Sequence, residues 1–265
     1  MFPVKGTTAH LAWYRTGEEP AEVAFLHGFT DSAQCWGPVI GALPEYRSLA
    51  IDARGHGASG LPEEPFNPTA HRDDVALVLS DQPRDGGTIV VGHSMGAVSA
   101  AVLAATRPHL VRALVLEDPP TGERSRSAGG QDAPRSMPAW LADLRALDLE
   151  GRIGHCRREH PQWPDTELEP WAVSKAQLDP HLFELATDGP VVLVAVLAAI
   201  ACPVLLIHGD TERGSLISTR YAEMCAGVTG GEFRAAHVED AGHSVHRDNP
   251  SRYLAELTAF LAQHR

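Results

Sequence analysis

The chain has 265 residues, 43% of them apolar, 21% charged and 6% aromatic. A chain of that length buries roughly 73% of its unfolded surface, enough for a large core without disulfide or metal staples. Acidic residues outnumber basic ones by 34 to 22, a net charge of −12, and such a surface repels phosphate backbones and anionic lipid, which sets nucleic-acid and membrane partners aside.

In chain order, the opening Met1-Phe2-Pro3-Val4-Lys5-Gly6 lacks the charged-then-apolar pattern of a secretory leader, so a cytoplasmic protein is expected. Cys35, Cys156, Cys202 and Cys225 stand far apart with no CxxC, which suits reduced thiols. Short apolar runs at Val23–Leu26, Leu49–Ile51, Thr88–Val91, Ala113–Leu116 and Val204–Ile207 predict strands buried on both faces, as in a parallel sheet. Helical spacing is predicted between and after them, over Thr69–Leu79, Met95–Thr106, Ser218–Ala226 and Pro250–Gln263. This alternation predicts an α/β fold with right-handed crossovers.

The rhythm breaks over residues 121–189. A Gly/Ser/Arg-rich stretch, Gly122–Gly130, leads to Pro138, a helical segment at Ala139–Leu147 and further short segments carrying Trp163, Trp171 and Phe183. The expected organisation is a core of residues 1–120 and 190–265 with a helical insertion, 121–189, between them. The apolar stretch Val191–Ile207 is shorter than the ~20 residues a membrane span needs, and Pro203 divides it. It reads as a buried helix followed by a buried strand.

The sharpest chemical signal is Gly92-His93-Ser94-Met95-Gly96, directly after a strand and before an Ala-rich helix. A G-x-S-x-G at such a turn is a nucleophile elbow, with glycines where side chains would clash and the serine lifted on strained backbone. His27-Gly28-Phe29 closes an earlier strand, so the N–H groups of Phe29 and Met95 are candidates for an oxyanion hole. Gly242-His243 places one histidine on a loop before the final helix, giving the chain order serine, acid, histidine.

On these residues, together with Asp52-Ala53-Arg54-Gly55-His56-Gly57-Ala58-Ser59 and Cys202-Pro203-Val204-Leu205-Leu206-Ile207-His208-Gly209, the chain resembles the α/β-hydrolases. The resemblance implies a mostly parallel central sheet flanked by helices, with the insertion as a helical cap over the active site. It also implies a triad of Ser94, His243 and an acid. The acid is expected at Asp118, where a minority of the family carries it. The position more usual in the family is Glu212, but Glu replaces Asp there and Arg213-Gly214-Ser215 follows where Pro is common. Asp210 and Glu117 are the remaining candidates.

Other features read more plainly. Gly55-His56-Gly57-Ala58-Ser59-Gly60 matches G-x-G-x-x-G, but Leu61-Pro62-Glu63-Glu64-Pro65 follows in place of the helix that would hold a pyrophosphate. No P-loop is present, and His243 with His246 lacks further zinc-spaced ligands. No cofactor and no metal are expected. His93 reads as packing beside the nucleophile, and His208 as structural. Trp140, Trp163 and Phe183 are candidates to line an apolar substrate pocket.

The expected function is a cofactor-free serine hydrolase cleaving a small to medium apolar carboxylic ester or lactone through an acyl-enzyme. The alternatives are hydrolysis of a C–C bond of the β-diketone type, a thioesterase, or a non-catalytic protein that binds a small ligand. A serine at the elbow disfavours the dehalogenase and epoxide-hydrolase chemistries, which need a carboxylate nucleophile. The expected partner is the small-molecule substrate, with a homodimer left open.

Overall fold

The computed structural model describes residues 2–122, 136–187 and 191–265. Its strands are β1 (Val4–Thr8), β2 (Leu11–Arg15), β3 (Val23–Leu26), β4 (Ser48–Ile51), β5 (Thr88–His93), β6 (Val111–Glu117), β7 (Val204–His208) and β8 (Phe233–His237). They form one sheet in the order β1-β2-β4-β3-β5-β6-β7-β8. The pairs β1/β2 and β2/β4 are antiparallel, and every other neighbouring pair is parallel.

The five apolar runs are strands because each must fill both faces of this sheet. Successive side chains point to opposite faces. In β3, Val23 and Phe25 face one layer while Ala24 and Leu26 face the other. In β5, β6 and β7 the residues Ile89/Val91, Ala113/Val115 and Leu205/Ile207 join the first layer, opposite Val90, Leu114/Leu116 and Val204/Leu206. Helices cover both layers. Before β6 lie α1 (Gly37–Gly41), α2 (Pro68–Asp81) and α3 (Met95–Thr106). Between β6 and β7 lie α4 (Ala139–Ala146), α5 (Leu149–Glu159), α6 (Asp165–Gln177), α7 (Leu182–Leu185) and α8 (Leu193–Leu197), and after β7 come α9 (Thr219–Val228), α10 (Val245–Asp248) and α11 (Pro250–His264). Side chains of α2, α3, α8 and α9 pack on one face, those of α1 and α11 on the other.

Three expectations need correction or completion. The β1/β2 hairpin was not expected from the sequence. Its strands turn through Ala9 and His10, with Ala9 at φ 52°, and the turn lacks the Asn-Gly or Gly signal that usually marks a two-residue hairpin. The segments after Ala139–Leu147 are not all short, since α5 and α6 have 11 and 13 residues. Pro170 lies inside α6 and made a helix there hard to see. The Gly/Ser/Arg-rich stretch lies, from residue 123 onward, outside the described residues.

The stretch Val191–Ile207 folds as a helix and a strand, but α8 buries only Leu193 and Leu197 and leaves Ala195 exposed, whereas β7 is buried throughout. Among the described residues, no helix is long and apolar enough to cross a membrane. All four cysteines are free, and only Cys202 is partly exposed.

Candidate active site

The elbow between β5 and α3 is built by steric necessity. Ser94 has φ 50° and ψ −115°, a left-handed conformation that costs about 1–3 kcal/mol and persists only where the surroundings enforce it. They do so here. Ser94 N–H donates to the Glu117 carbonyl of β6 at 2.9 Å, and the Ser94 carbonyl accepts from Ala97 and Val98 at 3.0 and 3.2 Å. A Cβ on Gly92 would lie 2.5 Å from the Gly96 carbonyl, and one on Gly96 would lie 2.3 Å from the Leu26 carbonyl of β3. Both glycines are therefore required by close backbone approach, one between strand and helix, the other between helix and neighbouring strand.

The raised hydroxyl, on a residue only 9% exposed, meets a histidine from the far end of the chain. Ser94 Oγ lies 3.0 Å from His243 Nε2, and His243 Nδ1 lies 2.6 Å from Asp118 Oδ2. A carboxylate accepts only, so Nδ1 carries the proton, and Nε2 of the neutral ring accepts from the serine hydroxyl. Asp118 directly follows β6 at φ 40° and is fully buried. Its Oδ1 accepts from Ser215 Oγ (2.6 Å) and Ile217 N–H (3.1 Å), and its Oδ2 also accepts from Leu216 N–H (2.8 Å).

The other candidate acids are placed elsewhere. Glu212 is exposed and its carboxylate accepts from the Thr211 hydroxyl. Asp210 accepts from His237 at 2.7 Å and from Asp240 N–H at 2.9 Å. Glu117 is buried and holds His246, through its backbone N–H at 2.9 Å and Nδ1 at 2.8 Å. The loop after β7, the more usual place for the acid, here supplies donors to Asp118 instead. Ser215 was not singled out in the sequence, because a small polar residue in a loop carries no local signal of a partner 97 positions away.

The turn Gly28–Asp31 follows β3. Its Gly28 stands against the elbow, since a Cβ there would lie 2.6 Å from His93 Nδ1 and 3.4 Å from Ser94 Cβ. The N–H groups of Phe29 and Met95 have no hydrogen-bond acceptor among the described residues. Their side chains pack on a cluster of Phe66, Leu141, Leu178, Leu182 and Phe183, with the Phe29 and Phe183 rings 5.5 Å apart, edge to face. Trp163 lines an open cleft of about 360 Å³ beside His243. Trp140 is 51% exposed on α4 and belongs to neither the cluster nor the cleft. The expected pocket is thus divided. Phe183 joins an apolar cluster by Phe29 and Met95, while the cleft beside His243 has Glu159, His160, Arg213, Asp240 and Asp248 on its walls beside Trp163.

His93 supports the site from below. Its Nε2–H donates to the His243 carbonyl at 3.0 Å. Burial pushes its pKa down to about 3, so the ring is neutral at pH 7. His208, read as structural, is buried with Nδ1 3.0 Å from the Gly209 carbonyl. Among the described residues, no group of His, Cys, Asp and Glu could hold a metal ion.

The buried histidines make the fold sensitive to acid. His71, like His93, is pushed down to about 3, chiefly by burial. Unfolded histidine titrates near 6.5, so below that pH the unfolded chain takes up protons that the fold refuses. Stability is therefore complete above about pH 6.5 and falls with acid, by about 1.4 kcal/mol per pH unit for each histidine. Glu117 adds to the loss below about pH 4.5. Burial alone would raise its pKa, but His246 and His93 hold it down to about 2. Urea unfolding at about pH 5 should show stability at least about 4 kcal/mol below that at about pH 7, because His27 and His56 are also pushed down by burial, and His71→Gln should recover about 2 kcal/mol of that difference.

Comparison with known proteins places the chain in a family. A profile described as "Alpha/beta hydrolase family" matches residues 23–257. The chain is 30% identical to Lipase LipV of Mycobacterium tuberculosis, over 91% of this chain and 94% of the relative. It is 28% identical to 2-(acetamidomethylene)succinate hydrolase of Mesorhizobium japonicum, over 89% and 86%. In fold it is similar to the M. tuberculosis esterase Rv0045c, with a TM-score of 0.77 at 23% identity, covering 98% of this chain and 91% of the other.

Proposed function

The chain belongs to the alpha/beta hydrolase family, and from that premise we propose that it is a serine hydrolase cleaving a carboxylic ester or lactone through an acyl-enzyme. The observation that carries the reading is the continuous relay Ser94–His243–Asp118, with steps of 3.0 and 2.6 Å, beside two uncommitted backbone N–H groups. In this reading His243 Nε2 takes the Ser94 proton as Oγ adds to the substrate carbonyl. The alkoxide so formed accepts hydrogen bonds from Phe29 and Met95 N–H, each worth about 3–4 kcal/mol in the transition state. His243 then gives the proton to the leaving oxygen, and the ester becomes a Ser94 acyl ester plus a free alcohol. Water, deprotonated by His243, repeats the addition and releases the acid. Asp118 keeps the proton on Nδ1 and stabilises the imidazolium. No step requires a metal or organic cofactor.

The inserted segments fit the role of a cap: Phe183 and Trp163 lie near the reacting groups, the first in the apolar cluster, the second in the cleft beside His243. The similarity to a lipase and to the hydrolase of an acetamidomethylene succinate supports hydrolysis at a carbonyl and leaves the acyl and leaving groups to experiment.

A fluorophosphonate probe tests the reading directly. The native chain should take up one label per molecule, mapping to Ser94, and should hydrolyse members of a panel of p-nitrophenyl esters and small lactones. A native chain that stays unlabelled and inert across the panel would favour the ligand-binding alternative. Labelling without ester or lactone turnover, accompanied by cleavage of a β-diketone, would move the reading to C–C hydrolysis.

A further inference from the structure

Four ionised side chains are buried where the insertion meets the core. Lys175 and Glu167 come from α6, Asp31 from the turn after β3, and Arg247 from α10, and each is under 6% exposed. Lys175 Nζ donates to Asp31 Oδ1 (2.7 Å), to the Thr30 carbonyl (2.9 Å) and to Ser174 Oγ (3.3 Å). Arg247 donates from Nη2 to Asp31 Oδ2 (3.0 Å) and from Nε to Glu167 Oε2 (3.3 Å). Burial alone would raise the Asp31 pKa, but Arg247 and Lys175 hold it well below the usual carboxylate range. Trp171 lies against Lys175 and Trp163 against Arg247, at 4.8 and 5.1 Å from the ring centres. Apolar residues of equal volume often stabilise a core as well as such a chain of charges does, so its directional contacts call for another account.

Those contacts lead to the peptide whose N–H would receive the oxyanion. In the turn Gly28-Phe29-Thr30-Asp31, the Asp31 N–H donates to the Gly28 carbonyl at 3.1 Å. Thr30 is at φ 70°, the geometry of a type II turn, where glycine is normal and a β-branched residue is strained. The Gly28 carbonyl and the Phe29 N–H belong to one planar peptide. Its carbonyl end is held by Asp31 N–H and by His27 Nδ1–H at 2.8 Å. Lys175 holds both the carbonyl of the strained residue and the side chain of the residue that closes the turn. Arg247, four residues beyond His243, grips the other oxygen of that same carboxylate.

We propose that the inserted helix α6 is part of the catalytic scaffold: Lys175, acting through Thr30 and Asp31, is a positioning residue that sets the direction of the Phe29 N–H, while Arg247 ties the same carboxylate to the His243 loop. The inference rests on the serine-hydrolase reading. It assigns α6 a task separate from covering substrate, and it makes oxyanion binding depend on the insertion being docked.

The test compares wild type, Lys175→Met and Lys175→Gln on one p-nitrophenyl ester, at a temperature where circular dichroism shows each folded. Lys175→Met should lose about 10- to 100-fold in kcat, with KM within about threefold, because a misdirected donor weakens the transition state more than the ground state. Fluorophosphonate labelling should slow by a similar factor. Lys175→Gln keeps an N–H donor and should recover part of the loss. A folded Lys175→Met with wild-type kcat, or with a loss confined to KM, overturns the proposal. Should that variant fail to fold, Asp31→Asn takes its place, with the same kcat loss expected and an unchanged kcat equally fatal. Failure of the hydrolase reading itself would show differently, as a wild-type chain that neither turns over esters nor takes the label, and the inference would then fall with it.

Discussion

Ser94→Ala is expected to lower kcat for a p-nitrophenyl ester by about 10⁴- to 10⁶-fold while leaving the fold intact. The size follows from removing the only group that becomes covalently bonded to substrate. What survives is the modest catalysis that oxyanion donors and binding provide alone. Stability should not fall with activity. The Ser94 side chain caps no helix N–H, and its backbone bonds to Glu117, Ala97 and Val98 do not involve the hydroxyl. An alanine at φ 50° bears similar strain, so the melting temperature should move by no more than about 2 °C. Steady-state kinetics with melting curves on the same samples check both halves. A variant that keeps more than about one part in a hundred of wild-type kcat would remove Ser94 from the chemistry.

Why the nucleophile was legible and its partners less so is a matter of how local each requirement is. Gly92 and Gly96 are needed because backbone atoms of the same turn and the adjacent strand come within van der Waals reach, and a five-residue pattern records that. Strands β3 to β7 were equally plain, because a strand buried on both faces must be apolar throughout. The β1/β2 hairpin escaped because β1 alternates between half-buried and exposed positions and its turn uses Ala9 and His10. The acid was harder still. Asp118 and Glu212 are both acidic residues just beyond strands, and what separates them is tertiary: the loop after β7 turns three donors onto Asp118 and leaves Glu212 exposed. The buried chain of charges left no trace of its own. Lys175 is one of only two lysines, yet nothing in its neighbours signals that its amine reaches Thr30 and Asp31, about 145 positions away. The cleft beside His243 was likewise hidden, since its walls come from α5, the loop before α6, the loops after β7 and β8, and α10.

Asp118→Asn should cost about 10⁴-fold in kcat, with Glu212→Gln changing it by less than about twofold. The argument is one of donors and acceptors. Ser215 Oγ and Ile217 N–H both donate to Oδ1, so an asparagine oxygen is drawn to that side and its amide group faces His243 Nδ1. An amide nitrogen donates, so Nδ1 must become the acceptor and the ring proton moves to Nε2. A histidine protonated at Nε2 cannot take the Ser94 proton, and inverting the tautomer in a serine hydrolase carries a penalty of about 10⁴. The same flip sets the asparagine amide against the Leu216 N–H, two donors where Asp118 Oδ2 accepted at 2.8 Å. That buried mismatch should destabilise the fold by about 1–3 kcal/mol, so kcat must be read below the lowered melting temperature. Glu212 offers no such chain of consequences, because its carboxylate meets only the neighbouring Thr211 hydroxyl. The reverse pattern, an inactive Glu212→Gln beside an active Asp118→Asn, would mean that the loop after β7 rearranges on substrate binding to supply the acid itself.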